Sequence, residues 1–111
     1  MSLGANGIQD WLTQRLTAVF LIIYIAVLLY FCFTHSDVNY ESWKAFMFLP
    51  AMKVMTMLAL LSISLHAWIG VWTIVTDYIH HNFLRQLLRA GIILALVSYF
   101  FWGFQILYGV L

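Results

Sequence analysis

The stretch Val54-Met55-Thr56-Met57-Leu58-Ala59-Leu60-Leu61-Ser62-Ile63-Ser64-Leu65-His66-Ala67-Trp68-Ile69-Gly70-Val71-Trp72-Thr73-Ile74-Val75-Thr76 decides the fold. It contains no Asp, Glu, Lys or Arg, and it is bounded by Lys53 and Asp77. About 20 predominantly apolar residues carry a helix across about 30 Å of hydrocarbon. Two more uncharged stretches flank this one: residues 16–33, directly after Arg15, and residues 90–111, directly after Arg89. The first is slightly short, and Thr13 and Gln14 extend it. Three segments cannot close a barrel, and hydrocarbon offers no water to an unpaired backbone, so each must span as a helix. The expectation is an all-α integral membrane protein. Its three transmembrane helices fall at about residues 13–34, 53–77 and 86–111, in a single domain over residues 1–111.

Composition leaves no soluble alternative. Of 111 residues, 65% are hydrophobic and 8% are charged, where a soluble domain carries about 25% charged residues. A chain this small exposes much of its area after folding, and here that area is necessarily apolar. A net charge of +1 provides no basic stripe to neutralise phosphates, which excludes nucleic acid as a partner. The single cysteine, Cys32, excludes an internal disulfide and reads as a buried or lipid-facing thiol.

The span ends carry the residues a bilayer interface favours. Trp11, Tyr40, Trp43, Tyr78, Trp102 and Tyr108 are placed for interfacial rings. Pro50 suits the first turn of the second helix. Between the first two spans, Tyr40, Trp43 and Met47 recur at helical spacing among Asp37, Glu41 and Lys44, marking a short amphipathic segment over residues 38–48 that lies along the membrane surface. Residues 1–10 carry no basic side chain, and no small-residue cleavage pattern follows Phe33, so the first span is expected to be retained rather than removed as a signal peptide. Arg15, Arg85 and Arg89 fall on one side, Lys44 and Lys53 on the other. That bias favours a cytoplasmic N-terminus and a C-terminus outside.

An ionisable residue within a span is costly and marks a functional site by default. His66 is the one near mid-span. At about 100° per residue, Ala59, Ser62, His66, Gly70, Thr73 and Asp77 fall within roughly 40° of one line. A stripe of small and polar residues packs closely, either against another helix or against a flat cofactor. A neutral imidazole in a dry site is a good haem ligand, and Gly70, one turn on, leaves room for a porphyrin plane. A histidine hydrogen-bonded across a helix interface, holding no cofactor, fits the same spacing. No second His, Cys or carboxylate lies one turn away within the span, which disfavours other metal sites. Asp77 and Tyr78 open a polar loop with His80, His81, Asn82, Arg85 and Arg89. A tyrosine beside a carboxylate at the membrane surface can hydrogen-bond a lipophilic carbonyl compound such as a quinone; an ordinary interfacial tyrosine has the same signature. Arg15 fits either a headgroup contact or an acidic cofactor group such as a haem propionate. No nucleophile–base pair, paired carboxylate or Gly-rich phosphate loop occurs, so the chain has no self-contained catalytic machinery.

The run His66-Ala67-Trp68-Ile69-Gly70-Val71-Trp72, followed by Thr76-Asp77-Tyr78, closely resembles the D-type membrane anchor of bacterial succinate dehydrogenase (respiratory complex II). The opening Gly4-Ala5-Asn6-Gly7-Ile8-Gln9-Asp10-Trp11 with Arg15 is similar to the same subunit, and the likeness covers nearly the whole chain. Where that family usually has Phe after the Asp, this chain has Trp11, a mild swap. The resemblance implies that His66 is an axial ligand of haem b, with Ser62, Gly70 and Arg15 in the haem pocket and Arg15 near the propionates. It implies that Tyr78 hydrogen-bonds a ubiquinone carbonyl, with Asp77 at the edge of that site. The implied partners are the C-type anchor (cytochrome b556), which supplies the second axial histidine, the iron–sulfur subunit and the flavoprotein. FAD and the iron–sulfur clusters would reside in those partners. The implied role is to pass electrons from succinate to quinone, in the tricarboxylic acid cycle and respiratory chain, at the bacterial inner membrane; there the charge bias above makes the C-terminus periplasmic. Two other readings remain open from the residues: a haem-free anchor like that of some fumarate reductases, and a membrane assembly protein with no redox role.

Overall fold

The structure is a computed structural model that describes residues 7–109. The opening residues Gly4, Ala5 and Asn6, and the expected end of the third span at Leu111, lie outside the described residues. Four helices follow one another: α1 (Gly7–Thr34), α2 (Tyr40–Met47), α3 (Pro50–Tyr78) and α4 (Asn82–Leu107). Among the described residues there is no strand. The three long helices have 28, 29 and 26 residues. At 1.5 Å per residue they measure about 42, 44 and 39 Å, longer than the roughly 30 Å hydrocarbon layer. All three are long and apolar enough to cross a membrane. Each helix therefore runs on into the headgroup region, where hydrogen bonding continues without apolar side chains. That is why α1 starts at Gly7 rather than near 13, and α4 at Asn82 rather than near 86.

The helix ends are built from local chemistry. Asn39 caps α2, accepting from the Ser42 amide at 2.9 Å, while the Ser42 hydroxyl oxygen accepts from the Asn39 amide at 3.0 Å. This reciprocal box satisfies two donors that a helix start leaves unpaired. Pro50 opens α3, where its missing N–H costs nothing. His81 caps α4, its Nδ1 accepting from the Leu84 amide at 3.3 Å. Trp43 of α2 lies against Phe31 of α1, and Phe46 stacks on Phe31 with ring centres 4.1 Å apart, so the amphipathic segment is tied to the end of α1.

α3 is central and packs with α1 on one face and α4 on another. On α1 the buried residues Thr17, Tyr24 and Phe31 are spaced by seven. On α3, Met52, Ala59, His66 and Thr73 have the same spacing. Seven residues return a helix to within about 20° of the same face, so each set forms one seam. The seams run antiparallel: Tyr24 Oη lies 2.6 Å from Thr56 Oγ1, and Thr17 Oγ1 lies 3.0 Å from His66 Nδ1. The other face of α3 carries Trp68, Trp72 and Val75, all buried and packed against Leu88, Ile92 and Leu96 of α4. Where α3 and α4 approach further along, a Cβ at Gly103 would lie 2.7 Å from Leu60 Cδ1, so the absent side chain leaves room for the Leu60 methyl groups. The outward surface is a mantle of large apolar side chains that includes Ile22, Leu94 and Phe101. Cys32 belongs to it. Lipid, not water, is the solvent that such a surface requires.

Candidate functional site

The antiparallel arrangement gathers α1's start, α3's end and α4's start at one end of the bundle. Arg15, Asp77, Tyr78, Arg85 and Arg89 belong to that end; Lys44 and Lys53 belong to the other, with α2. Lys53 lies over the rings of Phe48 and Tyr108, 4.8 and 4.9 Å from their centres, an interfacial arrangement for a cation.

His66 sits half-buried in the middle of α3, on the seam with α1. Its Nδ1 meets the hydroxyl of Thr17, the one buried polar side chain among the described residues. Its Nε2 makes no hydrogen bond among the described residues. One turn toward the α3 C-terminus, Gly70 and Thr73 face Trp11, Gln14 and Arg15 across a cleft of about 320 Å³ that Asp10 and Ile69 also line. A Cβ at Gly70 would stand 3.5 Å from Gln14 Nε2, an ordinary contact. Packing against α1 therefore does not demand a glycine here, and the space it leaves belongs to the cleft. The guanidinium of Arg15 is exposed and lies 5.3 Å from the centre of the Trp11 ring. Gln14 Oε1 is buried with no hydrogen-bond partner among the described residues. Ser62 is half-buried one turn before His66 and makes no hydrogen bond among the described residues.

Thus His66 lies on the α1–α3 seam with Ser62 one turn before it, while Gly70 and Arg15 line the cleft that begins one turn after it. Asp77 and Tyr78 stand apart from the cleft, in the last turn of α3. Both are exposed, Tyr78 at 77%, so nothing else in the described chain covers the phenol. The turn beneath them is held by Arg85, whose Nε donates to the Ile79 carbonyl at 2.5 Å and whose Nη2 donates to the Thr76 carbonyl at 3.1 Å.

The arrangement has a defined chemical capacity. His66 has one imidazole nitrogen that could bind a metal centre, and Arg15, on the cleft one turn along, has a cation that could meet an acidic group. Among the described residues no three His, Cys, Asp or Glu side chains meet to hold a metal ion. Tyr78 offers an O–H to an acceptor arriving from the bilayer. Another cleft, of about 520 Å³, lies at the opposite end between α1 and α2. Its lining is apolar apart from groups such as His35, which is stacked on Phe31 and bonded to the Phe31 carbonyl at 2.9 Å, so it offers little chemistry.

Sequence reasoning missed Thr17 and the capping role of Arg85. The signal for Thr17 was present, since polar Thr17 and Tyr24 recur seven residues apart in an apolar span. Arg85 had no such signal, because its partners are backbone carbonyls. The two tryptophans of the His-Ala-Trp run are also explained: Trp68 and Trp72 stack 5.5 Å apart on the α4 side, away from the histidine.

No protein-family model matches the chain. It is similar to curated proteins described as succinate dehydrogenase hydrophobic membrane anchor subunits. That of Coxiella burnetii is 38% identical over 103 residues, covering 93% of this chain and 90% of the relative. That of Rickettsia prowazekii is 32% identical over 105 residues, covering 88% and 82% respectively. That of Rickettsia bellii is 34% identical over 85 residues, covering 75% and 66%.

Proposed function

The chain belongs to the succinate dehydrogenase hydrophobic membrane anchor subunits, and from that premise we propose that it holds haem b against a C-type anchor partner and helps form a ubiquinone site. As a multi-pass, non-catalytic subunit it anchors the complex in the membrane. We assign it to the bacterial inner membrane with its N-terminus cytoplasmic and its C-terminus periplasmic, on the Arg15, Arg85 and Arg89 bias.

The observation that carries the haem reading is the half-buried His66 on the α1–α3 seam. One ring nitrogen is engaged by Thr17, the other is unbonded, and a cleft with Arg15 begins one turn away. These residues fit the group: a nitrogen ligand, a cation for a carboxylate, and a glycine that lines the cleft without a side chain of its own. Bound haem b supplies one-electron transfer. His66 would hold the group through its unbonded ring nitrogen, with a histidine of the partner anchor completing the shared site. Arg15, on the cleft beside Gly70, would offer its cation to the propionates.

Electrons derived from succinate reach the membrane through the flavoprotein and the iron–sulfur subunit, which carry FAD and the clusters. Tyr78 donates its phenolic proton in a hydrogen bond to a quinone carbonyl, with Asp77 beside it. Reduction of the quinone takes two electrons and two protons, and the exposed Asp77–Tyr78 turn leaves the reacting oxygen near the aqueous boundary from which protons come. The Thr17–His66 bond also favours one competing reading, a haem-free anchor in which His66 only ties two helices.

Two variants test the assignment. His66→Ala, in a complex shown to be assembled, is expected to lose or reshape the b-type spectrum; an unaltered spectrum removes His66 as the ligand. Tyr78→Phe is expected to slow succinate-dependent quinone reduction while succinate oxidation with an artificial soluble acceptor persists. Quinone reduction at the wild-type rate would remove Tyr78 from the site.

A further inference from the structure

We propose that Thr17 is a positioning residue for the axial ligand: its hydroxyl accepts the Nδ1–H of His66 and so presents Nε2, with its lone pair, to the metal. The proposal rests on the haem reading of His66 given above.

The argument is one of counting protons. Thr17 Oγ1 has three neighbours: the Thr13 carbonyl at 2.7 Å, the Gln14 carbonyl at 3.2 Å and His66 Nδ1 at 3.0 Å. A threonine hydroxyl carries one proton and two lone pairs. Both carbonyls can only accept, so the hydroxyl proton must serve them, and the shorter Thr13 contact takes it. The contact with His66 then needs its proton from the ring. If the hydroxyl instead donated to Nδ1, the oxygens of Thr17 and Thr13 would stand 2.7 Å apart with no proton between them. Thr17 is 8% exposed, so water does not compete for the position.

A neutral imidazole with its proton on Nδ1 has its free lone pair on Nε2. That is the nitrogen with no partner among the described residues. The hydrogen bond also fixes the ring plane, because Thr17 is pinned by its own helix through the Thr13 bond. A hydrogen bond accepted from the distal ring N–H makes a metal-bound imidazole a stronger donor, and loss of such a partner typically costs 10–100-fold in metal affinity or activity. A stronger donor favours the oxidised metal. Removing the Thr17 hydroxyl should therefore raise the midpoint potential of the haem and loosen its retention.

The test compares Thr17→Val and Thr17→Ser in the intact membrane complex. Valine keeps the branched shape without the hydroxyl, and serine keeps the hydroxyl with less bulk. Haem content is measured by the dithionite-reduced spectrum and the midpoint potential by optical redox titration. The expected result is a raised potential and easier haem loss during detergent washing for Thr17→Val, with Thr17→Ser close to wild type. A Thr17→Val complex that assembles without haem, beside a haem-loaded Thr17→Ser complex, supports the proposal in its strongest form. An unchanged potential in Thr17→Val, or equal shifts in both variants, overturns it while leaving His66 as the ligand. A wild-type complex with no haem overturns the underlying reading as well. Should Thr17→Val fail to assemble, Thr17→Ala removes the same hydroxyl with less crowding, and the comparison with Thr17→Ser decides in the same way.

Discussion

Arg85→Met removes the clamp beneath Tyr78, and its consequences can be worked from the structure. A helix leaves its last four carbonyls without intrahelical partners. At the end of α3 the Val75 carbonyl accepts from the Ile79 amide at 2.8 Å, while Arg85 takes the Thr76 carbonyl and that of Ile79, just beyond the helix. The two arginine bonds therefore bracket Asp77 and Tyr78. Hydrogen bonds to a charged donor are worth about 1.5–3 kcal/mol each where water is excluded. Arg85 is only half-buried, and water can replace it at both carbonyls, so the pair is expected to contribute about 1–2 kcal/mol, a factor of roughly 5–30 in an equilibrium. Methionine preserves much of the stem volume, which confines the change to the lost donors. Hydrogen–deuterium exchange of the assembled complex is the direct assay. Amides at the end of α3 should exchange about 5–30-fold faster, with those of the α1–α3 seam unchanged. The quinone KM should rise by up to the same factor, with kcat at saturating quinone little altered, because the defect is in ordering the turn that carries Tyr78. Arg85→Lys, which cannot span both carbonyls with a planar fork, should fall between wild type and Met. Wild-type exchange at the α3 end in Arg85→Met would refute the clamp.

The Tyr24–Thr56 bond (2.6 Å) joins the two seams near their middle. A double-mutant cycle of Tyr24→Phe and Thr56→Val, read by unfolding in mixed micelles, should give a coupling of about 0.6 kcal/mol and no more than about 1.7. Additive single effects would mean that the pair is not formed. At Gly103, alanine forces Leu60 Cδ1 to move from a 2.7 Å approach, at a cost of about 1 kcal/mol for the displaced rotamer. With Leu60→Ala in place, Gly103→Ala should be nearly neutral in the same assay; an undiminished penalty would locate the clash elsewhere.

Much of the architecture was legible because a membrane imposes few solutions. Uncharged runs bounded by Arg15, Lys53, Asp77 and Arg89 can only be spans, and Tyr40, Trp43 and Met47 at helical spacing foretold α2. The ends were less legible. Gly7 through Leu12 of α1 has no apolar run to mark it, yet the backbone continues its hydrogen bonding there. The small and polar stripe on α3 was readable as a packed face, and α1 covers it at Ala59, His66 and Gly70. Which neighbour covers which face was not readable, because periodicity reports a face and not its partner. That is why Trp68 and Trp72, two and six residues after His66, read as part of one motif although they pack toward α4. The recurrence of Thr17 and Tyr24 marks a face of α1, but the partner of Thr17 lies 49 residues on, at His66, and periodicity does not name it.

The most direct measurement is an optical spectrum of the complex that carries this chain, isolated in mild detergent and recorded before and after succinate, with and without a soluble quinone. The expected result is a b-type band that appears on succinate addition and is reoxidised by quinone, which ties the haem to succinate oxidation on one side and to the quinone site on the other. An intact complex that reduces quinone with no haem band would contradict the assignment of His66 and leave a haem-free anchor.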